Sequence, residues 1–439
     1  MWRRLIYQLK ERIAHPGLDD VLAEMRRTDS WSRENLECRK RELIANALRN
    51  ARATPYYGRM FAERAIDPSD PDALLRLPTL SKDTVQENLE ELVASSYRGR
   101  LKATVTSGST GTPGRFYRSS TSSLWGYASG ERCKEWWEID PSARVVRLWG
   151  RGAQFSRLLR KRVRAKIAVC KDWASGTLNI LSYNLSSEEI ERHWRQILRW
   201  RPKVIHGYAT SVYLLARLLL DAGFDGRVLH LDGVIAEAEK LYPSQRAVVE
   251  QAFGCPVLEW YGCCEVGVIA TPCRLGRLHV REDMVHVEII DGVIHVTTLR
   301  EPAAPLLRYR VDDEGELATA PCPCGKPTVV LAKIHGRTCD MIRKADGTMV
   351  HPWAFDHIMK QASGIRKYKF VQKTLTFVHV QIESSRDLDA EECDRIAGQI
   401  RAQSGGQVSV DIDQVQQIPM DKSGKFRWIA SEVTSEKVA

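Results

Sequence analysis

The sequence predicts an α/β protein. A large N-terminal domain of layered α/β structure, with mixed sheets and a β-rich subdomain, is followed by a small α+β C-terminal domain. Three observations lead there. Between residues 144 and 263, short runs rich in Val, Ile and aromatic residues alternate with amphipathic runs, as expected of strands covered by helices. From about residue 278 the apolar period shortens to two in "LHVREDMVHVEIIDGVIHVTTL", which reads as antiparallel strands. Beyond "HGRTCDMI" (335–342) roughly one hundred residues remain with strands and a helix of their own, enough for a separate unit. The boundary is set so that the domains run 1–336 and 337–439.

Each element has a local reason. The N-terminus "MWRRLIYQLKERIAHPGLDD" carries charge without an uninterrupted apolar run, so it reads as a short amphipathic helix packed on the body, not as a secretory leader. Residues 32–66 read as helical, with Leu36, Leu43, Ile44, Ala47 and Leu48 at helical spacing. Ser81 is an N-cap for a helix in "LPTLSKDTVQENLEELV". "LKATVTSGSTGTPGRFYRS" is strand, Gly-rich turn, strand. "ARVVRLWG", "PKVIHGY", "VLHLDGVIA" and "PVLEWYG" read as strands. The helices between them are "SSEEIERHWRQILRWR", opened by Ser186 or Ser187, "ATSVYLLARLLLDAG", ended by Gly223, and "YPSQRAVVEQAFG", ended by Gly254. Asp291–Gly292 marks a hairpin turn. In the last hundred residues, "KYKFVQ", "LTFVHVQIE" and "VSVDIDQV" are strands and Asp389 to Gln403 is a helix.

Composition narrows the function classes. With 439 residues, 43% hydrophobic and 27% charged, the chain has an ordinary globular balance and room for a sizeable core. A net charge of +10 raises an acidic partner, but the basic residues are spread along the chain and no nucleic-acid signature accompanies them. The densest run, Arg157 to Lys171, reads as a solvated face or the rim of an anionic-substrate site. No segment is apolar for the ~18 residues a membrane span needs. The eleven cysteines show no regular pairing, so the expectation is a reducing, cytoplasmic compartment in which burial or metal outranks disulfides.

Three groups of residues carry chemistry. "TSGSTGTPG" (106–114) is either a phosphate cradle or a surface turn; it lacks the Gly-Lys-Ser/Thr running into a helix that a kinase-type loop needs. "HGY" (206–208) and "WYGCCE" (260–265) fall at C-terminal strand ends, where open α/β sheets bind ligands. Cys273 and His279, with Cys322 and Cys324 flanking one proline, form a Cys3His set that suits a closed structural zinc site; the alternative is four unrelated buried residues.

Taken together and in order, "TSGSTGTPG", "EWYGCCEVG" (259–267), "LLRYRVDDEG" (306–315) with "HGRTCDMI", and "PMDKSGKFR" (419–427) resemble the adenylate-forming superfamily of acyl- and aryl-CoA ligases. "TPYYGRMF" (54–61) and "LPTLSKDTV" (77–85) point to its phenylacetate–CoA ligase-like branch. The resemblance implies an AMP-forming ligase that activates an aryl or hydrophobic carboxylic acid with ATP and Mg2+ and transfers the acyl group to CoA. By that likeness Thr106, Ser107, Gly108, Ser109, Thr110, Gly111 and Thr112 clamp phosphates through backbone N–H groups and hydroxyls. Tyr261 lies along the adenine, Gly262 and Glu239 complete the nucleotide set, and Asp313 accepts from the ribose hydroxyls. Glu265 helps hold Mg2+, Arg337 contacts the nucleotide at the domain junction, and Lys425 reaches the α-phosphate region from a mobile C-terminal lid. The acid pocket is expected from Trp149, His206, Gly207, Tyr208, Cys263 and Cys264. Some members of the branch resemble the chain in carrying a structural zinc at the positions of Cys273, His279, Cys322 and Cys324.

The chain departs from the pattern in places. Gly114 follows the loop proline where the wider superfamily often has lysine; the phenylacetate branch also lacks that lysine. Cys339 stands where the junction often has an acid, and Cys263–Cys264 replace a more usual small or hydroxyl pair. Expected partners are a small carboxylic acid and CoA, or an amine or carrier protein as acceptor, with no nucleic acid; a homodimer is carried as the assembly. A non-catalytic acyl-adenylate-binding member is the remaining alternative.

Overall fold

Backbone chemistry breaks the helical N-terminal third where the sequence carries its stops. The computed structural model describes residues 2–105, 114–149, 176–182, 185–337, 342–344, 349–350, 355, 358–359, 362, 364–404, 406, 408–420, 426 and 428–433, with Trp2, Arg3, Leu5, Ile6, Gly336, Arg337 and Met349 described by backbone alone. By contacts the chain divides into two compact units, Met1–Ala143 with Leu258–Ile334, and Arg144–Val257 with His335–Ala439.

In the first unit, helices Trp2–Ala14, Leu18–Thr28, Arg33–Arg52 and Pro55–Glu63 come first. The single helix expected over 32–66 is two, because the Thr54 side chain accepts from Tyr57 N and Pro55 starts a new first turn. Ser81 caps as expected, accepting from Thr84 N, but its helix is short, Lys82–Glu87. Strands Leu101–Val105 and Arg115–Ser119 pair antiparallel and bracket the Gly-rich segment, whose residues 106–113 lie outside the described residues. Helix Ser120–Trp136 follows, capped by Ser119. The sheet runs, in spatial order, Val285–Ile290, Val293–Thr298, Tyr309–Leu317, Val330–Arg337, Leu278–Val280, Gly267–Pro272 and Val257–Cys263. Asp291 (φ 50°) and Gly292 (φ 78°) make the hairpin turn, both at positive φ as a type I′ turn requires. Helix and sheet residues share one core, including Met25, Leu48, Ala51, Ile269, Ile294 and Val296. Each fully buried side chain of leucine size contributes about 1.5–3 kcal/mol.

In the second unit a parallel sheet has the order Gly233–Glu237, Val204–Tyr208, Val145–Trp149, Thr177–Leu181. Helices Ile190–Trp200, Ala209–Asp221 and Pro243–Phe253 pack with it around Ile197, Leu215, Leu219, Val234 and Val249. The first of these starts at Ile190, after an N-cap Glu189 that makes no side-chain cap, so Ser186 and Ser187 do not open it. "VLHLDGVIA" is only partly strand: the Asp225 side chain caps a 3-10 turn over Gly226–Leu229, and the strand begins at Gly233. The C-terminal α+β region is a four-stranded sheet ordered Ser409–Gln414, Phe377–Ser384, Ile365–Thr374, Ile429–Ser431. Its central pair is antiparallel and both outer pairs are parallel. Helix Ala390–Gln403 packs with it, opened by a capping box between Asp389 and Glu392. Tyr242 joins this region's core, and Trp428 Nε1 donates to Thr210 Oγ1 at 3.0 Å.

Candidate functional site

In the first unit the structure brings together two motifs far apart in sequence. Tyr261, on strand Val257–Cys263, donates its hydroxyl to Asp313 Oδ2 at 2.8 Å from strand Tyr309–Leu317. Three strands stand between these two in the sheet order, and the sheet curls to bring the side chains into contact. Asp312 goes elsewhere: its backbone has φ 65° and its carboxylate pairs with Arg310 at 2.8 Å near the surface. The turn after Cys263 carries Glu265, whose Oε1 accepts from Tyr309 Oη at 3.4 Å. Burial raises the Tyr309 phenol, and the Glu265 charge raises it further, so the hydroxyl stays a donor. Gly262 sits at a register shift between strands; a Cβ there would lie 2.2 Å from Gly267 O, so only glycine lets the strands approach this closely. Cys263 packs against the core and burial pushes its thiol well above the ordinary range, with Glu265 adding to the effect. Cys264 is exposed.

In the second unit the predicted pocket residues share one end of the parallel sheet. Trp149 ends one strand; His206, Gly207 and Tyr208 end its neighbour, in a register that pairs Arg147 with His206 and Leu148 with Gly207. The Trp149 ring lies 4.4 Å from Tyr208 and 5.8 Å, edge-on, from His206, measured between ring centroids. His206 Nε2 is 3.2 Å from Glu237 Oε1 on the next strand. Glu239 joins two segments: Oε2 accepts from Thr210 N at 2.9 Å, at the start of helix Ala209–Asp221, and Oε1 accepts from Phe426 N at 2.6 Å. Phe426 follows Lys425 directly in sequence.

The four zinc candidates converge. Their donor atoms all lie within 4.8 Å of one another. Cys273 Sγ and Cys322 Sγ are 3.9 Å apart, and Cys324 Sγ is 3.3 Å from His279 Nε2. Two tight turns build the site: Gly276 N donates to Cys273 O, and Gly325 N to Cys322 O. His279 Nδ1 is 2.9 Å from Thr328 Oγ1, which fixes the ring so that Nε2 faces the thiols. Burial, aided by Lys326, lowers His279 to about 4, so the imidazole is neutral, the form that ligates metal. The donor chemistry and spacing fit a tetrahedral Zn2+.

Thr106, Ser107, Gly108, Ser109, Thr110, Gly111, Thr112 and Lys425 lie outside the described residues, as does the basic run Arg157–Lys171; Arg337 is described by backbone only, at the end of strand Val330–Arg337. Sequence reasoning missed Thr328 and Arg118. Neither has a local signal: Thr328 is set by His279, 49 positions away, and Arg118 by its packing against Gly267.

Residues 342–432 match the family described as the CapK C-terminal domain. Protein CapK of Staphylococcus aureus is 22% identical over 366 residues, covering 82% of this chain and 80% of that protein. Phenylacetate-coenzyme A ligase of Thermus thermophilus is 27% identical over 279 residues, covering 54% of this chain and 62% of the ligase. The structure of 2-hydroxyisobutyryl-CoA ligase in its postadenylation state superimposes with a TM-score of 0.72 at 16% identity, covering 94% of this chain and 92% of that one. The fold is therefore that of the adenylate-forming ligases, with CapK a related family.

Proposed function

We propose that this protein is an AMP-forming acid–thiol ligase of the phenylacetate–CoA ligase-like kind. A carboxylate attacks the α-phosphorus of ATP, pyrophosphate leaves, and the acyl-adenylate then gives its acyl group to the thiol of CoA, releasing AMP and a proton. The observation that carries the reading is the 2.8 Å bond from Tyr261 to Asp313, which joins two of the separated motifs at one place in the first unit. There Tyr261 flanks the adenine, Asp313 turns an acceptor to the ribose hydroxyls, and Gly262 gives the close approach. Thr106–Thr112 hold the phosphates, while Arg337 and Lys425 neutralise charge on the nucleotide. The bond from Phe426 N to Glu239 supports the assignment of the adjacent Lys425. Glu265 offers carboxylate oxygen to Mg2+, which would supply charge neutralisation on the phosphates. In the second unit Trp149, His206, Gly207 and Tyr208 line the acid side; Cys263 and Cys264 are assigned to the acid by the resemblance alone. Cys273, His279, Cys322 and Cys324 hold a structural zinc that leaves no open position for chemistry. We place the activity in the cytoplasm and give residues 337–439 the role of lid.

The test is acid-dependent ATP–pyrophosphate exchange over a panel of aryl, fatty and amino acids, followed by product analysis with CoA, amines or neither. Exchange with at least one acid is expected, together with loss of at least a hundredfold in Lys425→Ala while ATP binding persists. Exchange by no acid would reject the reading; amide in place of thioester product would replace CoA as acceptor.

A further inference from the structure

Arg118, on strand Arg115–Ser119, is a partly exposed cation whose donors are mostly unused. Its Nη2 donates to Ser122 O at 3.1 Å and Ser122 Oγ at 3.3 Å. Its Nε is buried without a hydrogen-bond partner, and among the described residues no carboxylate forms an ion pair with it. Glu301, the acid whose charge it feels most, is committed elsewhere: it accepts from the backbone N–H of Ser119 at 2.9 Å, Ala303 at 3.0 Å and Ala304 at 3.3 Å. The guanidinium lies against Gly267, where a Cβ would sit 2.8 Å from Nη2 and 3.0 Å from Nη1, and Gly267 holds φ 95°. Glycine at 267 thus leaves the space this side chain fills. Gly267 directly follows the turn of residues 264–266, so the guanidinium borders the turn that also carries Glu265. Desolvation lowers its affinity for the proton, yet a guanidinium remains charged. A largely desolvated cation whose strongest-acting carboxylate is spent on backbone N–H groups and makes no direct ion pair with it is only partly compensated, and an arriving anion that bonds it directly removes the remaining cost.

We propose that Arg118 is a specificity-determining residue that binds a second carboxylate of the acid substrate, one that is not activated. The inference rests on the ligase reading above. The group held there has to be anionic, because free guanidinium donors are matched by carboxylate or phosphate oxygens. It is not the reacting carboxylate. That group loses its charge on becoming a mixed anhydride, which would leave the guanidinium unpaired again, and pairing it beforehand would stabilise the ground state. A second carboxylate keeps its charge through both half-reactions. The substrate class that follows is a dicarboxylic acid.

Matched pairs test this: benzoate against terephthalate and hexanoate against adipate, with wild type, Arg118→Gln and Arg118→Lys. Pyrophosphate exchange gives kcat/KM for each, and the shift in Tm with each acid in the absence of ATP gives binding. Wild type is expected to prefer a diacid, and Arg118→Gln to reduce the diacid-to-monoacid ratio by about 10- to 100-fold, the worth of a charged hydrogen bond or two. Arg118→Lys should recover part of the ratio. The diacid should raise the Tm of wild type and not of Arg118→Gln. A ratio unchanged by substitution overturns the proposal, as does an equal loss on monoacid and diacid, which would put the reacting carboxylate or a nucleotide phosphate on Arg118. Diacid binding that depends on Arg118 without any exchange would keep this proposal and reject the ligase reading. Exchange with monoacids alone, or with both classes in a ratio that substitution leaves unaltered, would do the reverse.

Discussion

Replacing Cys322 by serine should cost the protein its zinc and much of the stability of the first unit. The geometry sets the expectation. In a tetrahedral site with Zn–S of about 2.3 Å and Zn–N of about 2.0–2.1 Å, ligand atoms lie roughly 3.5–3.8 Å apart. Here the Cys273–Cys322 sulfur separation is 3.9 Å and the Cys324–His279 separation is 3.3 Å, so a metal needs only small side-chain adjustments. His279 and Cys273 are 0% and 1% exposed, so without the metal water cannot take its place at them. Leaving two such groups without their partner costs about 1–3 kcal/mol each, or about 2–6 kcal/mol together. At roughly 2–4 °C per kcal/mol for a unit of this size, Tm should fall by about 4–24 °C. Metal analysis of protein purified without chelator should find one zinc per chain in wild type and a small fraction of that in Cys322→Ser, with calorimetry reporting the Tm difference. Metal-free wild type whose Tm matches that of the variant would refute the reasoning, as would a variant that keeps both its zinc and its Tm.

Two further predictions concern the same unit. Tyr261→Phe deletes the donor to Asp313 while keeping the ring, so it should raise KM for ATP about three- to tenfold with little change in fold stability; an unchanged KM would separate this bond from nucleotide binding. Glu282 is 3% exposed, pairs with Arg33 at 2.5 Å and Lys40 at 3.2 Å, and accepts from Val329 N at 2.8 Å. Glu282→Gln leaves Arg33 and Lys40 with Glu37 as their remaining counter-charge and should destabilise by about 1–3 kcal/mol in urea unfolding; a loss below about 0.5 kcal/mol would mean Glu37 and solvent already compensate.

Elements governed by near neighbours were legible. Ser81, Asp389 and the Asp291–Gly292 turn act where the sequence puts them, since caps and tight turns are closed by residues two to four positions away. The errors arise where a neighbour intervenes: Pro55 restarts a helix, and the Asp225 cap turns the start of an expected strand into a 3-10 turn. The candidate site was legible as residue types in motifs. Its partners were not: Thr328 behind His279, Glu301 beside Arg118 and Phe426 on Glu239 are 49, 183 and 187 positions from the residues they serve. No local periodicity encodes such pairs.

The sequence by itself determined much of the strand and helix inventory, though not helices Leu18–Thr28 and Ser120–Trp136 or strand Thr177–Leu181, together with the hairpin, the α+β character of the last hundred residues and the thiol and imidazole donors for a metal, because propensity, capping and side-chain chemistry belong to single residues or short runs. Tertiary structure decided which segments fold as one body. Leu258–Ile334 joins Met1–Ala143 across an intervening unit. It also decided which carboxylate, Asp313 and not Asp312, meets Tyr261. Those outcomes follow from burying apolar faces and satisfying polar groups in three dimensions, where the competing partners are set by packing and not by distance along the chain.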